Sequence, residues 1–430
     1  MRLTVIGTGY LGATHAACLA ELGHEVVGVD TDAGKVAALR AGRVPFHEPR
    51  LAGMVARHTA SGRLRVTSSY EEAGAFGQVH FVCVGTPQCR DGDGADLTYV
   101  ESAFGAIARH ARKGALLVGK STVPVGTAAR LADAHRRAEI AWNPEFLREG
   151  FAVEDTLRPD RLVLGVRTGR AERLLRAVYA PVLAAGTPLV VTDFATAELV
   201  KTAANSFLAT KISFINAMAE VCEATGGDVR HLSEALGHDT RIGRAFLRAG
   251  VGFGGGCLPK DIRAFAHRAA ELGVDLGFLR QVDAINMRRR DRVIALAREL
   301  CAGSVLGARV AVLGAAFKPD SDDIRDSPAL NVAARLDLDG ADVTVYDPEA
   351  MDNARKAFPL LGYALSVEEA LRGAELVLHL TEWPQFREVD PRRAGTLVAR
   401  SRIVDGRGAL DADAWRAAGW RFRALGTPAR

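Results

Sequence analysis

The sequence predicts an α/β protein in which two doubly wound parallel-sheet domains flank a long central helix and a helical region. Three observations predict it. Short β-branched runs alternate with amphipathic stretches over the first third of the chain. A long alanine-rich helical pattern follows, and the strand rhythm restarts at Arg309. The 430 residues suffice for two or three domains with full cores. A content of 48% hydrophobic and 25% charged residues is that of a soluble globular protein.

In chain order, Leu3 to Ile6, Glu25 to Val29, Val79 to Val84 and Ala115 to Gly119 read as parallel strands separated by helices. Such a sheet binds ligands at the carboxyl ends of its strands. From about Ala195 to Ala224 the pattern becomes one helix, with Ala197, Val200, Ala204, Phe207 and Ile215 as its apolar stripe. Further helix is expected from Asp261 to Leu272 and from Gln281 to Leu300. A helical segment of this kind between two sheet domains suits a dimer core, and equally an intramolecular spine. Val310 to Leu313, Val343 to Tyr346, Leu376 to His379 and Ile403 to Val404 are the strands of a second α/β unit. Its first turn, Gly314-Ala315-Ala316-Phe317, keeps only one glycine of a dinucleotide fingerprint, so this unit is expected to repeat the fold without holding a dinucleotide. The expected domains are 1–194, 195–300 and 301–430.

A formal charge of +4 is small for this length, and the one dense basic cluster, Arg288-Arg289-Arg290, reads as a solvated helix face. Nucleic acid is therefore not an expected partner. The mild positive excess is compatible with a phosphorylated substrate. Six cysteines show neither a CxxC pair nor zinc-ligand spacing, so no metal site is expected. Cys18, Cys83 and Cys222 sit among apolar residues as small core fillers, which suits a reducing compartment. The N-terminal apolar run is too short for a signal segment and no stretch reaches membrane-span length. A cytoplasmic protein is expected.

Gly7-Thr8-Gly9-Tyr10-Leu11-Gly12 follows the first strand and opens a helix. Gly7 allows the tight turn, Gly9 the approach of a pyrophosphate, and Gly12 close helix–sheet packing. The helix N-terminus supplies free amide donors. Asp30 ends the second strand, where a carboxylate accepts from ribose hydroxyls and repels a 2′-phosphate. NAD is therefore the expected cofactor. Val84-Gly85-Thr86-Pro87 and Ser121-Thr122-Val123-Pro124 each follow a strand at the same sheet edge, although Gly and Pro alone would explain both as turns.

Lys201 and Asn205 share a helix face at i, i+4 and could stabilise an oxyanion; a solvated lysine and a capping-type asparagine are the alternative. Cys257 follows three glycines and precedes Leu258-Pro259, which places it near a helix N-cap. There the helix dipole and Lys260 favour a thiolate while Asp261 opposes it. A thiol so placed can trap an aldehyde for a second oxidation.

The segments GTGYLG, VGTP, STVPVGT, NPEFLREG, ELVKTAANSFLATKISFINAMAE, RIG, GFGGGCLPKD, FKPDSDDIRDSP and VDGRG resemble, in order from Gly7 to Gly408, the UDP-glucose/GDP-mannose dehydrogenase family. The resemblance implies two Rossmann-like doubly wound domains joined by a long central helix and a helical dimerisation region. It further implies two successive NAD-dependent oxidations at C6 of UDP-glucose, giving UDP-glucuronate. Oxidation of GDP-mannose or of a UDP-N-acetylhexosamine is the close alternative, and a two-electron 3-hydroxyacid-type dehydrogenase a more distant one. In the implied reaction Cys257 carries a thiohemiacetal and then a thioester. Glu145 is general base, Thr122 and Asp261 hold the water, and Lys201 and Asn205 stabilise the oxyanion. NAD contacts are implied for Tyr10, Leu11, Lys35 and Thr86, and also for Thr122, Glu149, Lys260 and Arg325. Sugar-nucleotide contacts are implied for Phe146, Leu147 and Arg148, for Lys201 and Asn205, and for the loop from Arg248 through Phe253 to Gly254. Lys318 and Arg407 complete them, with Arg241 reaching across a homodimer so that each active site is shared. Gly256 stands where the family usually has serine.

Overall fold

The computed structural model describes residues 1–428. The chain forms two compact units, Met1–Ala204 with Arg263–Val274, and Asn205–Ile262 with Asp275 onward.

The first unit is built on an eight-stranded sheet: β1 (Arg2–Ile6), β2 (Glu25–Val29), β3 (Leu64–Thr67), β4 (Val79–Val82), β5 (Leu116–Gly119), β6 (Glu139–Trp142), β7 (Leu162–Val166) and β8 (Leu189–Thr192). Their order is β3-β2-β1-β4-β5-β6-β7-β8, and every neighbouring pair is parallel except β6 and β7. The four strands read from sequence all form, because parallel strands are covered on both faces and appear as nearly continuous apolar runs. Alternate residues feed opposite faces: Leu3, Val5 and Val26 pack into one core layer, Ile6, Val27 and Val29 into the other. The order reverses between β1 and β4, which opens the crevice at the carboxyl ends of the strands.

The second unit carries a six-stranded, wholly parallel sheet. It consists of β9 (Arg309–Leu313), β10 (Asp342–Tyr346), β11 (Gly362–Tyr363), β12 (Leu376–His379), β13 (Arg402–Asp405) and β14 (Arg421–Ala424). Their order, β11-β10-β9-β12-β13-β14, repeats the doubly wound pattern. Both sheets are thus Rossmann-like. The long helix runs over Phe194–Thr225, and two more span Leu258–Glu271 and Gly277–Leu300, each starting a few residues earlier than its periodicity predicts.

Two expectations are corrected. Phe207 does not belong to the buried stripe of the long helix: it is 66% exposed, whereas Ala197 and Ile215 are buried. At 100° per residue Phe207 lies about 80° round the helix from Ile215, off the buried stripe, and shares its face with Phe214 and Val221, also exposed. The Arg288–Arg290 cluster is not a solvated face either. Arg289 and Arg290 are 0% and 1% exposed. Arg289 meets Glu220 at 3.3 Å and Glu223 at 3.6 Å, and Arg290 meets Asp326 at 2.9 Å. A buried guanidinium needs such partners, and only the fold brings them near. Arg288 alone stays at the surface, against Glu220.

Candidate active site

In the first unit, the turn after β1 is shaped for a dinucleotide. Gly7 adopts φ +85°, a left-handed conformation that side chains resist, and its amide donates to Val29 at 2.8 Å. A Cβ on Gly12 would stand 1.7 Å from the Gly7 carbonyl oxygen, so the helix can approach the strand only with glycine there. A Cβ on Gly9 would meet nothing within 4 Å, leaving its backbone open to a ligand. Asp30 accepts from the Thr8 amide at 2.8 Å and from its hydroxyl at 3.0 Å, which fixes the carboxylate at the end of β2. Open turn, helix N-terminus and fixed acid together fit NAD. Leu11 and Lys35 are half-buried beside this turn and on the helix after β2.

The loops after β4 and β5 are tied to each other rather than being independent turns. The Thr86 hydroxyl donates to the Thr122 carbonyl at 2.9 Å and Ser121 to the Val84 carbonyl at 2.7 Å. Next to them, Glu145 and Lys201 form an ion pair at 2.9 Å with side chains 12% and 6% exposed. The solvated reading of Lys201 is thereby excluded. The second Glu145 oxygen accepts from the Leu147 amide at 2.9 Å. Phe146 packs under the Arg161 guanidinium, 3.9 Å from the ring centroid. Glu149 is buried, while Arg148 binds Asp155 through two side-chain nitrogens at 2.7 and 2.9 Å.

In the second unit, Cys257 is exposed and its carbonyl accepts the Asp261 amide at 3.0 Å, so it is the N-cap of the Leu258–Glu271 helix. Asn205 donates to Asp261 at 2.7 Å, both residues being buried, and Lys260 meets the other Asp261 oxygen at 2.5 Å. The preceding loop is a close-packed cradle. A Cβ on Gly254 would lie 2.3 Å from the Asp326 carbonyl oxygen, and one on Gly256 2.2 Å from the Arg325 guanidinium carbon. Arg325 binds Asp323 at 2.7 Å, and its carbonyl accepts from Gly255 at 2.8 Å. Gly256 therefore provides the seat for this guanidinium, where a serine would displace it.

Arg407 is anchored by backbone carbonyls of its own chain. It donates to the carbonyls of Leu380 at 2.7 Å, Phe317 at 2.9 Å and Gly252 at 3.3 Å. The Phe253 ring packs in a small core with Ala209, Ile262 and Val282, and Lys318 is half-buried. Arg241 lies apart: its side chain is 87% exposed and paired with Asp239.

Three buried residues of the first unit escaped the sequence reading. Glu48 accepts from the amides of Gly150 and Ala152, each at 2.7 Å, and from the Tyr10 hydroxyl. Glu198 accepts from Gly126 at 2.7 Å and Ala128 at 2.6 Å, clamping the loop that carries Thr122. Lys120 binds both oxygens of Asn143. Each is a charged residue in an otherwise ordinary helix or loop pattern; the only signal was that Lys120 precedes the STVPVGT segment and Glu198 opens the ELVKTAAN segment.

Comparison with known proteins agrees with this geometry. Three models of the UDP-glucose/GDP-mannose dehydrogenase family match the chain: the NAD binding domain over residues 1–183, the central domain over 195–288 and the UDP binding domain over 311–412. The chain belongs to this family. It is 42% identical over 440 residues to UDP-glucose 6-dehydrogenase of Rhizobium meliloti (strain 1021), covering 100% of both chains. It is 38% identical to UDP-glucose 6-dehydrogenase TuaD of Bacillus subtilis (strain 168), over 100% of this chain and 94% of the relative. Among solved structures, a UDP-glucose dehydrogenase from Pyrobaculum islandicum superimposes with a TM-score of 0.91 at 40% identity, covering 99% of this chain and 98% of that one. A UDP-D-ManNAc dehydrogenase from Pyrococcus horikoshii gives 0.88 at 27% identity, covering 99% of both. The cofactor of this family member is NAD. Among the described residues no group of His, Cys, Asp or Glu could hold a metal ion, and no helix is long and apolar enough to cross a membrane.

Proposed function

We propose that the chain oxidises C6 of UDP-glucose to the carboxylate of UDP-glucuronate in two NAD-dependent steps, with Cys257 carrying the intermediate. The observation that carries this reading is the exposed thiol at a helix N-cap, one turn from a buried Asn205–Asp261 pair. A two-electron alcohol dehydrogenase has no use for such a thiol. NAD, when bound, accepts one hydride at each oxidation, two per sugar.

The chain's own residues supply the remaining chemistry. The Cys257 sulfur adds to the aldehyde carbon, and the thiol proton passes to the carbonyl oxygen, giving a thiohemiacetal. Lys201 and Asn205 stabilise the developing oxyanion through an ammonium and an amide donor. Loss of hydride and the hydroxyl proton leaves a thioester. Water then adds to the acyl carbon as Glu145 takes its proton, the carbon–sulfur bond breaks, and the thiolate is regenerated. Thr122 and Asp261 hold that water. Over both steps one UDP-glucose, two NAD⁺ and one water give UDP-glucuronate, two NADH and three protons.

Thr86, Tyr10, Leu11 and Lys35 are assigned to NAD together with Glu149, Lys260 and Arg325. Phe146, Leu147, Arg148, Phe253, Gly254, Lys318 and Arg407 are assigned to the sugar nucleotide. We further assign the working form to a homodimer, joined along the exposed stripe of Phe207, Phe214 and Val221, with Arg241 serving the partner's sugar site. Six free thiols suit a reducing compartment, and we place the enzyme in the cytoplasm. The 38–42% relatives named as UDP-glucose 6-dehydrogenases favour UDP-glucose over other sugar nucleotides. The test is turnover with UDP-glucose, GDP-mannose and UDP-N-acetylglucosamine, counting NADH per product. UDP-glucose should give the highest kcat/KM and two NADH per sugar. Higher kcat/KM with either alternative would overturn the substrate assignment.

A further inference from the structure

Lys120 follows β5 directly and is 6% exposed, yet no carboxylate among the described residues lies within ion-pair distance of its ammonium. Burying an ammonium without a counterion costs several kcal/mol on the order-of-magnitude scale, so such a group is kept for a reason other than stability. Its Nζ donates to Asn143 Oδ1 at 3.0 Å and to the Asn143 carbonyl at 3.3 Å. The Tyr179 hydroxyl donates to the same Oδ1 at 2.6 Å, and the Asn143 side-chain amide donates to the Val163 carbonyl at 2.9 Å. Asn143 is thus held at both ends, and it stands two residues before Glu145.

We propose that Lys120 is a positioning residue for Glu145: through Asn143 it pins the root of the Asn143–Gly150 loop, and it places a second ammonium, besides that of Lys201, near the Glu145 carboxylate. The proposal rests on the reading of Glu145 as the base of thioester hydrolysis. The groups that face Lys120 are His15 from the first helix, Cys83 after β4, Glu145, Tyr179 and Lys201. Burial lowers Lys120 to about 8, while Cys83 and Glu145 raise it and Lys201 lowers it further. As pH rises through about 8 the ammonium loses its charge, the Asn143 anchor weakens, and hydrolysis should slow.

The test uses the full-length enzyme with UDP-glucose and NAD. Single-turnover quench experiments measure UDP-glucuronate release against the second NADH, from pH 6 to pH 10. Lys120→Met should slow hydrolysis by about tenfold or more and remove the fall above pH 8, with KM for both substrates within about threefold of wild type. Tyr179→Phe keeps the ring and loses one bond to Asn143; it should slow hydrolysis by about threefold. A merely structural role would instead lower the melting temperature and all rates together. Folded Lys120→Met with wild-type hydrolysis and pH profile overturns the proposal. If Lys120→Met does not fold, unchanged hydrolysis in Tyr179→Phe overturns it. Failure of the wild type to give two NADH per sugar would sink the functional reading instead.

Discussion

Cys257 and Asp261 are one helical turn apart yet stand in opposite environments, the thiol exposed and the carboxylate buried against Asn205. The thiol can reach a ligand, while the acid is held by an amide on one oxygen and by Lys260 on the other. If the proposed thioester route holds, replacing Cys257 with alanine should lower UDP-glucuronate formation by about three orders of magnitude or more. Product measured by chromatography checks this, and a variant still giving two NADH per sugar at the wild-type rate would exclude the thioester route. At this scale Cys257, Lys201 and Asn205 stand out in the sequence as candidates, because they adjoin glycine turns and small-residue helix faces. Arg325 and Arg407 stand out less. The Arg325 guanidinium folds back onto Asp323, two residues away, while that of Arg407 engages backbone carbonyls far along the chain, contacts that no local spacing encodes.

At the scale of elements, the strand–turn–helix unit at the N-terminus allows the least variation. Gly12→Ala would drive a methyl to 1.7 Å from a backbone oxygen that cannot swing away. It should destabilise the protein by about 3 kcal/mol or more and abolish NAD binding, as read by denaturant unfolding and by cofactor fluorescence titration. The clamp between the long helix and the loop carrying Thr122 has a pH signature. Burial raises Glu198 to about 7, although the amides of Ala128 and Gly126, Arg268 and Arg130 pull it down. A carboxyl raised in the folded state contributes stability below its unfolded value near 4.5 and loses it as pH rises through about 7. Unfolding free energy measured across pH 4 to 8 should therefore carry a decline on the order of 3 kcal/mol from this group. Glu198→Gln should flatten that part of the curve; an unchanged slope would show that Glu198 stays charged throughout. β3, β6, β7, β8, β11 and β14 were not read from sequence. Several are short or lie at sheet edges with outward polar residues, such as Arg65 in β3 and Arg421 and Arg423 in β14.

At the scale of the whole molecule, the exposed Phe207, Phe214 and Val221 recur every seven residues on one helix face. Large apolar groups so arranged are costly in water unless another surface covers them. In the proposed homodimer, Phe214→Glu should convert a two-chain particle into a single chain, as measured by light scattering after size-exclusion chromatography. A two-chain mass persisting in the variant would rule out this face as the interface. Lower UDP-glucuronate formation in the separated chains would further support a contribution from the partner's Arg241.

Sequence alone determined that the chain holds two doubly wound sheets and a long helix and that its cofactor is NAD, and it singled out Cys257, Lys201, Asn205 and Asp261 as candidates for the chemistry. These follow from short-range rules: period-two and period-3.6 patterning, glycine where backbone must bend or approach closely, and proline at a helix start. Tertiary structure alone decided the charge partners. It paired Lys201 with Glu145, Arg289 with Glu220 and Glu223, and Arg290 with Asp326. It also turned Phe207 outward and buried Lys120, Glu48 and Glu198. The reason is physical. A charge can be buried only where partners converge from distant segments, and that convergence is a property of the packed chain rather than of any stretch of it.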